Sequence, residues 1–251
     1  MAHKIYYSIS GYDTATIISA GFDASDNSLT VTDSSQVTNE ENINSNSITS
    51  TVVTSFGNED AIRIDFGTTK TLDFIAHYMS SADTNDLYIY SSNSSAASYT
   101  QLGTILSSAI GWNIKEIDET TNRYWVIRSE DGTFSGLREV LLGKIINLQI
   151  PDIGSEEQED YSTIYQQSYS GTQYSNKIDQ PSTLFTLNFS FIDSDLKSDL
   201  ETMQSTVQNR LKFVYYDESS YHYVRLVSPL QFTQVANSVY STTMILQEQF
   251  Q

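Results

Sequence analysis

The sequence predicts a mainly β protein in two parts, the second carrying one short helix. Three observations carry that reading. Apolar and polar residues alternate with a period of two through most of the chain, as half-buried strands require. Serine, threonine and asparagine are abundant while lysine is scarce, which suits strands and turns better than helices. Helical spacing takes over in one stretch only, near residues 194–208.

In chain order, "HKIYYSIS" (His3–Ser10) reads as a strand that either joins the N-terminal part or pairs with the C-terminal sheet. "NSLTVTDSSQVTNEENINSNSITSTVVTSF" (Asn27–Phe56) is polar and β-branched, suited to long surface loops bridged by short strands. In "AIRIDFG", Ile62, Ile64 and Phe66 point one way, Arg63 and Asp65 the other, and Gly67 is expected to end the run. "TLDFIAHYMS" (Thr71–Ser80) is ambiguous by period, but its β-branched and aromatic content favours a strand. "LYIYSSN" (Leu87–Asn93) and "NRYWVIRSEDG" (Asn122–Gly132) are strands closed by turn-forming residues. "GLREVLLGKIINLQIPDIG" (Gly136–Gly154) is apolar almost all round, which fits a strand covered on both faces, and Pro151 ends it.

Pro151 also opens a boundary. The segment from Pro151 to Ser182 is acidic, tyrosine-dotted and broken by glycine, as a linker or long loop would be. Its Tyr161, Tyr165, Tyr169 and Tyr174 are candidate interface residues, because aromatic rings bury large areas at low entropic cost; the alternative is a hairpin whose tyrosines cover their own sheet. "TLFTLNFSFID" (Thr183–Asp193) alternates, with Phe185, Leu187, Phe189 and Phe191 on one face. Leu196, Leu200, Met203 and Val207 then fall at helical spacing, with Asp193 or Ser194 as N-cap and Asp195 in the first turn. Three strands complete the chain, the first two joined by the hairpin-length turn "DESS". The expected domains are therefore 1–150, with 1–14 assigned to either part, a linker or loop at 151–182, and a β domain at 183–251 with its helix at about 194–208. Ile64, Phe66, Trp125, Leu141, Phe189, Phe191, Leu200 and Phe213 are the expected core.

Composition limits the function. A formal net charge of −18, from 31 acidic and 13 basic side chains, repels phosphate backbones and anionic lipid, which argues against nucleic-acid and membrane partners. The absence of cysteine removes disulfides, thiolate metal sites and cysteine nucleophiles. No signal-peptide core interrupts the N-terminus and no apolar run spans a bilayer, so synthesis in a cytoplasm is expected. His3, His77 and His222 are expected at a frayed terminus and on solvent-edge strand positions, without catalytic or metal roles. Hydrolase, phosphate-loop and dinucleotide signatures are missing, so no catalytic, cofactor or metal residue is assigned and no enzyme is expected. Carboxylate pairs for glycan cleavage exist by inventory, but Glu156, Glu157, Glu159 and Asp160 read as a solvated charge run. "FDASDNS" (Phe22–Ser28) reads as an Asx turn in preference to a calcium loop.

Two resemblances complete the reading. From Ala15 to Ile150, Ile64–Gly67, Phe74–Ala76 and Arg123–Trp125 fall in an order that resembles a discoidin-like (galactose-binding-like) jelly-roll sandwich, in which Trp125 would be core. That resemblance implies a fold whose members often bind sugars through loops. The whole layout also resembles tail structural proteins of tailed bacteriophages: Glu139–Gly143 as a closing strand, then Leu187–Ile192, the leucine-counting helix from Leu196 to Met203, Lys212–Tyr215 and Tyr240–Glu248. It implies a distal tail or baseplate protein with a tail-tube-like β domain. Such a protein sits in the virion, forms a six-fold ring of its own copies, and joins other tail proteins. DNA would then be passing cargo only, and host surface glycans a further partner in the alternative reading of a carbohydrate-binding module.

Overall fold

The computed structural model describes residues 3–23, 25–30, 44, 60–81, 86–105, 109–129, 136–160, 163–167, 173–177 and 182–249. The chain is mainly β with one short helix. Its strands are β1 (Lys4–Ser8), β2 (Thr16–Asp23), β3 (Ser28–Thr30), β4 (Asp60–Met79), β5 (Leu87–Ser92), β6 (Thr100–Ile105), β7 (Gly111–Ser129) and β8 (Leu137–Asn147). They continue with β9 (Glu156–Asp160), β10 (Thr163–Gln167), β11 (Gln173–Lys177) and β12 (Ser182–Asp193). After helix α1 (Ser194–Val207) come β13 (Phe213–Tyr216), β14 (Tyr221–Leu226), β15 (Thr233–Ala236) and β16 (Val239–Glu248). Two compact units result: Tyr7–Ile145, and Met1–Tyr6 together with Ile146–Gln251. The first is inserted in the sequence of the second.

The inserted unit is a sandwich built by folding one antiparallel sheet over itself. β4 pairs with β7 along its length, but its other side faces β2 at Asp60–Asp65 and β8 at Phe74–Met79. A register shift between Asp65 and Lys70 separates those halves. Gly67, expected to end a strand, instead bends one: it sits at φ +73°, and its N–H donates to Asp65 Oδ1 at 2.7 Å. Each half of β4 feeds the same core. Ile62 and Ile64 from the first half meet Leu72, Ile75 and Met79 from the second, with Trp125, Ile127, Val140 and Leu142 between them. Phe66 is partly buried and packs against this core. The first layer is thus β2–β4–β7–β5–β6 with β3 on β2, and the second is β8–β4–β7.

β8 is buried on both faces, Leu141 at 2% exposure alternating with fully buried Val140 and Leu142. A glycine is obligatory in its middle. A Cβ on Gly143 would lie 1.8 Å from the Tyr7 carbonyl oxygen, so the two backbones approach too closely for any side chain.

In the other unit the order is β1–β13–β14–β16–β12–β9, with β15 on β16, and among the described residues β10 pairs with β11 alone. α1 starts where expected: Asp193 caps it, its Oδ1 accepting the Leu196 N–H at 2.8 Å, and Leu200, Met203 and Val207 are its buried side chains. The acidic segment expected as linker or loop contributes strand structure: Glu156–Asp160 pair with Ser182–Thr186 as the last strand of the sheet. Charged side chains on an edge strand oppose pairing with another chain's edge.

One core residue is corrected. Phe191 is 71% exposed, because the β12–β16 register shifts between Phe189 and Ile192. The bulge breaks the alternation, so Ile192 takes the buried place and Phe191 turns to the surface. Phe189, Leu200 and Phe213 are buried.

Candidate functional site

β12, β16 and the chain between β14 and β15 enclose a groove of about 510 Å³. Its lining includes Asn188 and Ser190 from β12, Ser241 and Thr243 from β16, and Ser228 and Gln231 from the chain after β14. These side chains belong to the exposed face of strands whose opposite residues, Phe189, Met244 and Leu246, are buried. None of the groove's lining residues is charged, in a chain whose net charge is −18. The polar groups are held in place: Thr243 Oγ1 donates to Asn188 Oδ1 at 2.8 Å, Asn188 Nδ2 to the Gly154 carbonyl at 3.0 Å, and Thr242 Oγ1 to the Gln231 carbonyl at 2.9 Å. Apolar side chains adjoin it in sequence: Phe191 follows Ser190, Val227 precedes Ser228, and Val235 lies two residues beyond Thr233. All three are exposed. Of the seven large hydrophobic residues exposed among the described residues, six belong to this unit and only Ile110 to the sandwich. Exposed apolar side chains in a unit that also holds an uncharged hollow suit a mating surface.

A second polar cluster in the same unit is structural. His222 on β14 is clasped between Glu248 Oε1 at 3.0 Å from Nδ1 and Asp217 Oδ2 at 3.1 Å from Nε2. Burial opposes charging of the imidazole, but the two carboxylates outweigh it and raise its pKa. Burial likewise works to raise Asp217, yet hydrogen bonds from Ser219, Ser220 and His222 hold it at about 2. His222 lowers the pKa of Glu248 in turn. Phe185 and Tyr215 flank the ring at 4.7 and 6.2 Å between centroids. His3, expected at a frayed terminus, stacks on Tyr215 and shares a 2.7 Å hydrogen bond with its hydroxyl. His77, expected at a solvent edge, is fully buried on β4, and burial brings its pKa down to about 3, leaving it neutral.

The sandwich carries an unusual outer face on its first layer. Pairing places Arg63 beside Val126, Ala61 beside Arg128, and Tyr88 beside Arg128. Arg128 is 2% exposed and its guanidinium lies 4.8 Å over the ring of Phe22. Arg63 is 7% exposed, lies 5.5 Å over Tyr124, and donates from Nη1 to the Ser95 carbonyl at 2.9 Å. Tyr90 and Tyr99 pack on Phe22, and burial pushes the Tyr99 hydroxyl up to about 12. Asp65 is taken by Arg123 in a two-pronged pair of 2.7 and 2.9 Å, which holds its carboxyl below the usual range. Arg63 Nε and both Nε and Nη1 of Arg128 are buried without a hydrogen-bond partner among the described residues.

The residues singled out from sequence are distributed unevenly. Tyr161 and Tyr169 lie outside the described residues; Tyr165 and Tyr174 are in β10 and β11, and their side chains lie outside the described set. Glu156, Glu157 and Glu159 are exposed along β9. Asp23 forms the expected Asx turn, its Oδ1 accepting the Ser25 N–H at 2.8 Å. Among the described residues no three histidine, aspartate or glutamate side chains are placed to hold a metal ion, and no helix is long and apolar enough to cross a membrane. Sequence reasoning passed over Arg63 and Arg128. The available signal was an arginine in each of two strongly apolar strands, "AIRID" and "WVIRS", the second sharing its face with Tyr124.

No family model matches the chain, and no curated protein does. Solved structures similar to it include carbohydrate-binding modules. The solution structure of chitosan-binding module 1 from a Paenibacillus sp. IK-5 chitosanase/glucanase is 13% identical with a TM-score of 0.39, over 53% of this chain and 98% of that one. The CBM32 of AlyQ, in complex with 4,5-unsaturated mannuronic acid, is 16% identical with a TM-score of 0.38, over 55% and 96%. The CBM32-1 and CBM32-2 domains of Clostridium perfringens ZmpB are 19% identical with a TM-score of 0.38, over 51% and 34%.

Proposed function

We propose that this chain is a non-catalytic structural protein of a bacteriophage tail, in which the unit containing α1 assembles with copies of itself and with neighbouring tail proteins. One observation carries the reading: exposed apolar side chains are concentrated in that unit, which also holds an uncharged groove, in a chain of net charge −18. An acidic chain repels its own copies least where charge is missing, so the uncharged groove, in the unit that also exposes Phe191, Val227 and Val235, is the surface on which copies meet at least electrostatic cost. The acidic edge strand β9 steers that contact away from simple strand-to-strand addition. Electron microscopy of the purified chain tests the reading. Closed rings support it; dispersed single chains at every concentration refute it.

The sandwich supports a second, compatible role in carbohydrate recognition at the host surface. Its closed double-layered core leaves little apolar surface for assembly, and its arginine–aromatic face holds rings and guanidinium donors together, Arg63 lying under the exposed run Asn93–Ser98. A glycan array probed with the full chain checks this role, which fails if no glycan is retained.

A further inference from the structure

Buried arginines in folded proteins are paired, because a guanidinium without an anion loses hydration that nothing replaces. Arg128 departs from this. It is 2% exposed, its Nε and Nη1 have no hydrogen-bond partner among the described residues, and its guanidinium lies over the ring of Phe22. Arg63, on the neighbouring strand, leaves Nε equally unpaired. Asp65, the carboxylate beside them, is already committed to Arg123. This face therefore holds donors for an anion in a molecule that is elsewhere short of positive charge.

We infer that the Phe22–Arg63–Tyr99–Arg128 face of the sandwich binds the carboxylate of an acidic sugar. The inference rests on the carbohydrate role proposed above and names its substrate class. Three features select it. Guanidinium forks match the planar carboxylate with two parallel bonds. Aromatic rings beside them, Phe22, Tyr99 and Tyr124, suit the apolar C–H face of a pyranose. Finally, the acceptor over Arg63 is replaceable. The Ser95 carbonyl accepts from Arg63 Nη1 at 2.9 Å and from the Tyr99 hydroxyl at 3.3 Å, within a run, Asn93–Ser98, that is exposed throughout. A carboxylate entering there replaces a neutral acceptor by a charged one, a stronger partner for the same donor. The small side chains of Ala20 and Ala61 keep the centre of the face open for the long Arg128 side chain.

The experiment is calorimetric titration of the full chain with trisaccharides of galacturonate, glucuronate and mannuronate, each beside its carboxyl-reduced neutral counterpart. At least one uronate is expected to bind at least tenfold more tightly than its neutral form. Arg128→Met and Arg63→Met should each weaken that binding by tenfold or more, and Arg128→Lys should fail to restore it, because an ammonium lacks the fork. Arg128→Met should at the same time leave the free protein as stable or raise its Tm by about 2–4 °C, since an unpaired buried cation is removed. Neutral glycans binding as well as uronates, unaffected by either arginine variant, would overturn the inference and leave the carbohydrate role standing. No glycan binding of any kind would end both.

Discussion

The two units treat their apolar and charged residues in opposite ways. The sandwich folds β4 and β7 over themselves so that both layers share one core, and among its described residues only Ile110 remains as a large exposed hydrophobic. What it conceals is polar: two arginines lie under aromatic rings with donors unused. The α1 unit turns Phe191, Val227 and Val235 outward and also holds a groove whose described lining carries no charge. A closed unit with a buried charge surplus is suited to a small ligand, whereas an open unit with exposed apolar side chains completes itself against another protein surface.

Substitutions can separate the units, because Trp112 and Trp125, the only tryptophans, both lie in the sandwich, so tryptophan fluorescence reports that unit selectively. The largest effect is expected for Gly143→Ala. With its Cβ 1.8 Å from the Tyr7 oxygen, the variant should lose more than about 4 kcal/mol and shift the fluorescence-detected transition. Leu200→Ala should cost about 2–5 kcal/mol, seen by far-ultraviolet circular dichroism, with the tryptophan transition little changed. A shared shift in both signals would show that the units do not unfold separately. Asp193→Ala removes a helix cap and should cost about 1 kcal/mol.

The His222 clasp gives a pH signature confined to the α1 unit. The folded-state pKa of His222 is raised, so its contribution is full below the ordinary histidine pKa and is lost as pH rises through the higher folded value. Asp217 and Glu248 are depressed, so theirs is present above the ordinary carboxylate range and is lost as acid protonates them in the folded state. The three contributions coincide between those limits, in mildly acidic solution. Denaturant titrations across pH 5–8 should show stability falling on the alkaline side, and His222→Gln should flatten that fall. An unchanged slope would remove the clasp from the account.

Much of the fold was legible because burial writes itself into strand periodicity. "GLREVLLGKIIN" announced a strand covered on both faces, and Leu196, Leu200, Met203 and Val207 announced the helix. The failures share one physical cause: alternation tells which residues share a face, but not what covers that face. Arg63 reads as an outward residue and is nevertheless buried, because aromatic side chains and the Ser95 loop lie over it. Phe191 reads as core and is exposed, since one bulged residue reverses the alternation without any glycine to signal it. The groove was illegible for a further reason. Its hydroxyl and amide groups come from β12, β16 and the chain after β14, and each looks like ordinary strand or turn sequence until pairing brings them together.

Sedimentation velocity of the full chain, alongside a Phe191→Ser/Val235→Ser double variant, addresses the proposed assembly surface most directly. Both positions are exposed, so folded-state stability should change by no more than about 1 kcal/mol in total. The wild-type chain should form closed multimers that grow with concentration, and the double variant should sediment as a monomer with its tryptophan-detected transition intact. A wild-type chain that remains monomeric at the highest attainable concentration, or a double variant that assembles as well as wild type, would contradict the account.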